Sequence, residues 1–253
     1  MTEEERKNRQ YGMFTSLCGF GFPELNKSIH IRKIEAIPDW YKRYVSLDYG
    51  LDCTAVIWYW VDNYGNGRIY RFISKKDLIV SEAREEIIKF TGNEKIEAYY
   101  APPDLWNRRN DTGKSAAQIF YNDGKGIILT KTNNDRETGW LNVHEWLRPY
   151  LKRDEQTGEE YKTAKMTFDE GLDNELWKCL TAIQKAEKNP NDIATTPHNL
   201  THLPDSLRAF CVSRMVASSE PEGNKHYNFD FERPKTDNSY FGTMTEDYLN
   251  FGG

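Results

Sequence analysis

The chain has no Cys-x-x-Cys pair. Its four cysteines, Cys18, Cys53, Cys179 and Cys211, are scattered, which excludes a spaced-cysteine zinc cage or disulfide framework and marks them as reduced core residues. No apolar run approaches the roughly 18 residues of a membrane span. The opening residues Met1 to Lys7 are charged and lack the apolar centre of an export signal, so a cytosolic setting is expected. Excess positive charge is missing too. With 34 Lys and Arg against 39 Asp and Glu, the net charge of -5 excludes a protein that coats nucleic acid nonspecifically, but not one whose basic groups cluster on one face. Finally, Thr112-Gly113-Lys114-Ser115 resembles the end of a phosphate-binding loop, but the earlier glycine the motif needs is replaced by Arg108, so no ATP site is expected. Repeats and low-complexity tracts are absent.

Aromatic residues, by contrast, make up 13% of the chain, and with a mean hydropathy of -0.80 they describe a folded core under a polar surface. Residues 1–40 start charged and are then punctuated by Gly19, Gly21 and Pro23, which reads as an arm or linker. The β-branched and aromatic runs Tyr44 to Asp48, Thr54 to Val61 and Arg68 to Ile73, separated by turn residues, predict three antiparallel strands. Ser81 to Phe90 is an amphipathic helix closed by Gly92, and Ile96 to Ala101 is a buried strand stopped by Pro102-Pro103. Further on, Ser115 to Tyr121 predicts a helix, Gly126 to Leu129 a short strand, Gly139 to Leu151 a helix and Lys165 to Phe168 an edge strand. Two more helices, Leu172 to Ala186 and Leu203 to Val216, precede a polar tail over 218–253 that is expected to be mobile. This order implies an α/β fold, a mixed sheet with helices on its faces, occupying 41–217.

Three acids stand where chemistry is easiest to build. Asp48 ends the first strand, Asp104 follows the buried strand after two prolines, and Asp205 opens the last helix with His202 three residues before it. The carboxyl ends of strands in an α/β sheet share a rim, and residues three apart on a helix share a face, so these groups can converge. Carboxylates and an imidazole suit Mg²⁺ or Mn²⁺ while leaving positions for water and phosphate. On spacing alone, each acid reads equally as a turn or capping residue.

The runs Tyr44 to Thr54, Ala101 to Arg109 with Asp111 to Ser115, and His202 to Arg208 together resemble the nuclease domain of the large terminase subunit of tailed bacteriophages. The resemblance extends over about Ile34 to Val216, and Tyr11-Gly12 with Phe22-Pro23-Glu24 resembles the segment that joins this nuclease to an ATPase. It implies an RNase H-like fold, Mg²⁺ or Mn²⁺ as a pair of ions, and endonucleolytic cutting of concatemeric double-stranded viral DNA. Asp48, Asp104 and Asp205 correspond to the family's metal-binding acids, and His202 to a histidine that some members place beside the last. The chain then stands without its ATPase half. Implied partners are that ATPase domain, the small terminase subunit and the portal or procapsid, in the cytoplasm of an infected bacterium.

Several residues carry two readings. Arg108, Arg109, Lys114, Lys131 and Arg136 either contact phosphate or form a solvated face. Trp106 and Trp140 either stack on a base or pack in the core, packing being the commoner fate. Asp52 serves a metal's outer shell or a turn, with Asp111 and Asp192 equally open, and His144 and His198 read either as extra ligands or as ordinary polar residues, the latter being the commoner fate. An RNase H-like enzyme of other substrate class, a junction resolvase or hybrid nuclease, and a non-catalytic packaging scaffold remain as alternatives.

Overall fold

The computed structural model describes residues 19–108, 113–154, 157–172, 175–213 and 217–219. Helix α1 (Lys27–His30) leads into the short strand β1 (Ile31–Arg32), and β2 (Lys42–Tyr49), β3 (Thr54–Val61) and β4 (Gly67–Lys75) then form the predicted antiparallel meander. Helix α2 (Val80–Thr91), closed by Gly92 at φ +58°, β5 (Ile96–Ala101), α3 (Ala116–Tyr121) and β6 (Leu129–Lys131) follow. The remaining elements are α4 (Arg136–Leu147), β7 (Tyr150–Arg153), β8 (Glu160–Thr163), β9 (Met166–Asp169), α5 (Glu175–Ala182) and α6 (His202–Cys211). Seven strands form one mixed sheet in the order β1-β9-β4-β3-β2-β5-β6, while β7 and β8 make a separate hairpin. A mixed sheet with helices on both faces is the predicted α/β, RNase H-like architecture.

The period of two along β2 divides the core. Tyr44 and Ser46 face one side, where Ile57, Tyr59, Trp140, Leu207 and Phe210 pack under α4 and α6. Val45 and Leu47 face the other, with Val56, Trp58, Ile87 and Phe120 under α2 and α3. Both faces are covered, so β2 and β3 read as continuous apolar runs rather than alternating ones. Helix α6 is fastened to the sheet by Phe210 stacked on Tyr59 at 3.8 Å and by Ser206 Oγ at 3.0 Å from Ser46 Oγ.

Several expectations are corrected. Strand β9 is not an edge: it lies between β1 and β4 and runs parallel to both, the edge being taken by β1, too short to show a period. The predicted strand Gly126 to Leu129 shifts to β6, and Gly139 to Leu151 resolves into α4 followed by β7. From Gly19 on, the segment read as an arm contributes to the fold, with Phe22 and His30 buried and β1 in the sheet. At the other end Ser218 is buried and donates to the Val61 carbonyl, and the rest of the expected tail, like Cys18, Arg109 and Asp111, lies outside the described residues. Cys53, Cys179 and Cys211 are buried free thiols, as expected. Among the described residues, no helix is long and apolar enough to cross a membrane.

Candidate metal centre

Two parallel strands set the rim. β2 and β5 run side by side with Ser46 opposite Tyr100, so their carboxyl ends emerge together. Asp48 is the next-to-last residue of β2 and shares the face of Ser46, turned toward α6. Past the end of β5, Pro102 fixes an extended backbone and starts a 3-10 turn, Pro103–Trp106, which carries Asp104 at its exposed second residue. The doubled proline thus brings Asp104 to the rim by a turn rather than directly from the strand. The first turn of α6 lies over the same rim and supplies His202 and Asp205.

The geometry joins His202 to Asp48 and to Asp52. His202 Nδ1 lies 2.8 Å from Asp48 Oδ2, and its Nε2 lies 3.1 Å from Asp52 Oδ2, in the turn between β2 and β3. Burial pushes the Asp48 carboxyl above the usual range; the His202 hydrogen bond opposes this, and the charges of Asp205 and Asp104 add to it. The negative charges of Asp205 and Asp104 thus reach Asp48, and a cation near it would offset them. The donor set of hard oxygens fits a divalent ion. Asp205 is held from behind: its Oδ1 lies 3.0 Å from Arg208 Nη2, 3.1 Å from Arg208 Nε and 3.4 Å from Arg136 Nη1.

His202 is raised in pKa, first by its bond to Asp48 and against its own burial. Its raised folded-state value means that the imidazolium stabilises the fold fully below the unfolded value near 6.5 and that this contribution is lost as pH rises through the folded value. In the metal-free chain, an NMR titration of the imidazole carbons should place the His202 midpoint above that of a free histidine. Asp48→Asn should bring it down; a midpoint unmoved by that substitution would contradict the pairing.

The basic residues separate into two kinds. Arg136 is engaged inside the protein, with Nε 3.1 Å from Asp192 Oδ1 and Nη2 3.2 Å from the Ile193 carbonyl. Lys131 is exposed and sits 5.3 Å from the Trp106 ring, beside the turn that carries Asp104, and Arg108 and Lys114 are exposed on the same connection. Trp140 is buried and donates to Asp192 at 2.8 Å, and Trp106 packs partly buried against the core, the packing fate in both cases. Asp192 is therefore a structural anchor for Trp140 and Arg136. His144 pairs with Glu24 at 2.8 Å, an ordinary polar contact. His198 is another matter. Its Nε2 is 2.9 Å from Asp52 Oδ2, in a cluster with His202, which favours the ligand reading of His198 over the ordinary polar one. The sequence signal that joins the two imidazoles is the spacing His198-x-x-x-His202.

No protein-family profile matches the chain, and no curated protein sequence does. Solved structures do. The large terminase of a thermophilic bacteriophage superposes with a TM-score of 0.57 at 19% identity, over 83% of this chain and 52% of that one. The nuclease domain of the P22 large terminase superposes with a TM-score of 0.56 at 14% identity, over 77% of this chain and 91% of that one. The chain thus spans about half the length of the thermophilic phage protein and aligns with nearly all of the P22 nuclease domain. At these identities the likeness carries the architecture: the chain has a large-terminase nuclease fold.

Proposed function

We propose that the chain is a metal-dependent endonuclease that cuts concatemeric double-stranded viral DNA during genome packaging. The observation that supports this reading is the His202–Asp48 contact of 2.8 Å at the end of β2, with the charges of Asp104 and Asp205 acting on Asp48, in a fold like that of the P22 terminase nuclease domain. Asp48, Asp104 and Asp205 hold Mg²⁺ or Mn²⁺, with Asp205 offering Oδ2 because Arg136 and Arg208 occupy Oδ1. When bound, a pair of such ions polarises the attacking water and steadies the leaving 3′ oxygen. His202 is a positioning residue here: Nδ1–H donated to Asp48 Oδ2 fixes which carboxylate oxygen remains for the cation. Arg108, Arg109, Lys114 and Lys131 follow Asp104 in the chain and grip the phosphate backbone without reading sequence; Arg136 adds positive charge behind Asp205.

The wider setting follows from the same reading: an ATPase domain, a small terminase subunit and the portal or procapsid as partners, in the host cytoplasm. Digestion of supercoiled plasmid, a four-way junction and an RNA/DNA hybrid in Mn²⁺, each with and without chelator, tests the substrate class. Plasmid cutting that chelation stops and added salt weakens is expected. Cutting confined to the junction or the hybrid would move the chain to another RNase H-like activity, and no cutting at all would leave a packaging scaffold.

A further inference from the structure

Asp52 meets His198 and His202 although about 150 positions separate it from them in the chain. Asp52 stands in the turn whose Gly50 N–H bonds the Cys53 carbonyl at 2.9 Å, directly after β2. His198 opens a 3-10 turn, His198–Leu200, that runs into α6, so the two imidazoles four residues apart fall on one side with ring centroids 4.6 Å apart. One ligand atom from each of the three side chains lies within 4.8 Å of the others.

We propose that these three side chains form a transition-metal site of the Zn²⁺ class, adjacent to the carboxylate centre and joined to it by the His202–Asp48 hydrogen bond. Metal–ligand bonds of about 2.0–2.1 Å set neighbouring ligands about 3.3 Å apart in a tetrahedron. The contacts of Asp52 Oδ2 to His198 Nε2 at 2.9 Å and to His202 Nε2 at 3.1 Å are within a small side-chain rotation of that spacing. The rotation is available because the Asp52 and His198 side chains are 55% and 66% exposed. His202 is oriented for ligation: with Nδ1–H donated to Asp48, Nε2 points at Asp52, and a cation bound there would displace the Nε2 proton, giving the carboxylate–histidine–metal arrangement that fixes a ligand's tautomer.

The donor set decides the class of ion. Two imidazoles and one carboxylate favour Zn²⁺ and its neighbours over Mg²⁺, which prefers the all-oxygen set around Asp48. Three protein ligands leave an open coordination position. A cavity of about 540 Å³, lined in part by Asp52, His202, Asn199 and Lys178, provides room there for water or an incoming anion.

The assignment does not rest on nuclease activity, and its test is a binding measurement. Zn²⁺ is titrated calorimetrically into the full chain in a saturating excess of Mg²⁺, which fills the oxygen-ligand centre. A single Zn²⁺ site is expected in the wild type. His198→Ala and Asp52→Asn, both at exposed side chains, should each weaken it by more than about tenfold, the least that even an outer-shell partner contributes. Absence of Zn²⁺ binding in the wild type, or binding as tight in both variants as in the wild type, overturns the site. Should the chain cut no DNA yet lose Zn²⁺ on His198→Ala, the nuclease reading falls and the metal site stands.

Discussion

Asp48→Asn is expected to reduce Mn²⁺-dependent plasmid cutting by at least on the order of 100-fold, the usual effect of deleting one preorganised electrostatic group from an active site. The substitution keeps the shape of the side chain and its ability to accept the His202 Nδ1–H, so the loss is one of charge and of a hard oxygen ligand. Stability should move the other way. The Asp48 carboxyl is raised first by burial, with the charges of Asp205 and Asp104 contributing, so its ionised form disfavours the fold. A raised carboxyl contributes stability at low pH and loses it as pH rises through the folded value. At neutral pH without divalent ions, the variant should therefore melt no lower than the wild type. Added Mn²⁺ should raise the wild-type melting temperature and leave that of the variant nearly unchanged. Undiminished cleavage by Asp48→Asn would remove this residue from the chemistry.

The second large effect lies away from the rim. Arg68 on β4 is 5% exposed, and its Nε lies 2.5 Å from Asp169 Oδ1 on the neighbouring strand β9. It also donates to the Lys33 carbonyl and lies 5.4 Å from the Trp60 ring, so one guanidinium ties the segment after β1 to two interior strands. Burial pushes the Asp169 carboxyl up, and Arg68 is the main group that opposes this. Arg68→Met leaves that carboxylate buried and unpaired, and should cost about 3–5 kcal/mol. At roughly 2–4 °C per kcal/mol for a chain of this size, the melting temperature should fall by about 6–20 °C. Replacing both partners, Arg68→Met with Asp169→Leu, should cost less than Arg68→Met alone, because no charge is left stranded. Denaturant melts of the two variants settle the order; an Arg68→Met variant as stable as the wild type would deny the pair its structural role.

Legibility in the sequence followed burial. Strands β2 to β5 are readable as runs of β-branched and aromatic residues bounded by turn residues, and helix α2 because its buried residues recur at the period of a helix. The β7–β8 hairpin was not, since Tyr150 to Arg153 and Glu160 to Thr163 are mostly exposed and show no alternation. β1 has two residues and no period, so the sequence pattern leaves β9 as an apparent edge. At the site, Asp48, Asp104, Asp205 and His202 could be singled out because each stands at the end or start of an element that pattern reveals. Asp52 and His198 could not be joined from pattern, since their contact arises only when α6 closes over the β2–β3 turn. The ion pairs of Arg136 were equally hidden: a basic residue that opens a helix reads the same whether it faces phosphate or Asp192.

The central claim is that distant carboxylates hold cations together at the sheet rim. Mn²⁺ soaked into crystals of the chain, located by its anomalous scattering, tests it most directly. The account predicts a peak bounded by Asp48, Asp104 and Asp205 that disappears in Asp48→Asn crystals. A soaked crystal with these three side chains ordered and no peak between them would contradict it.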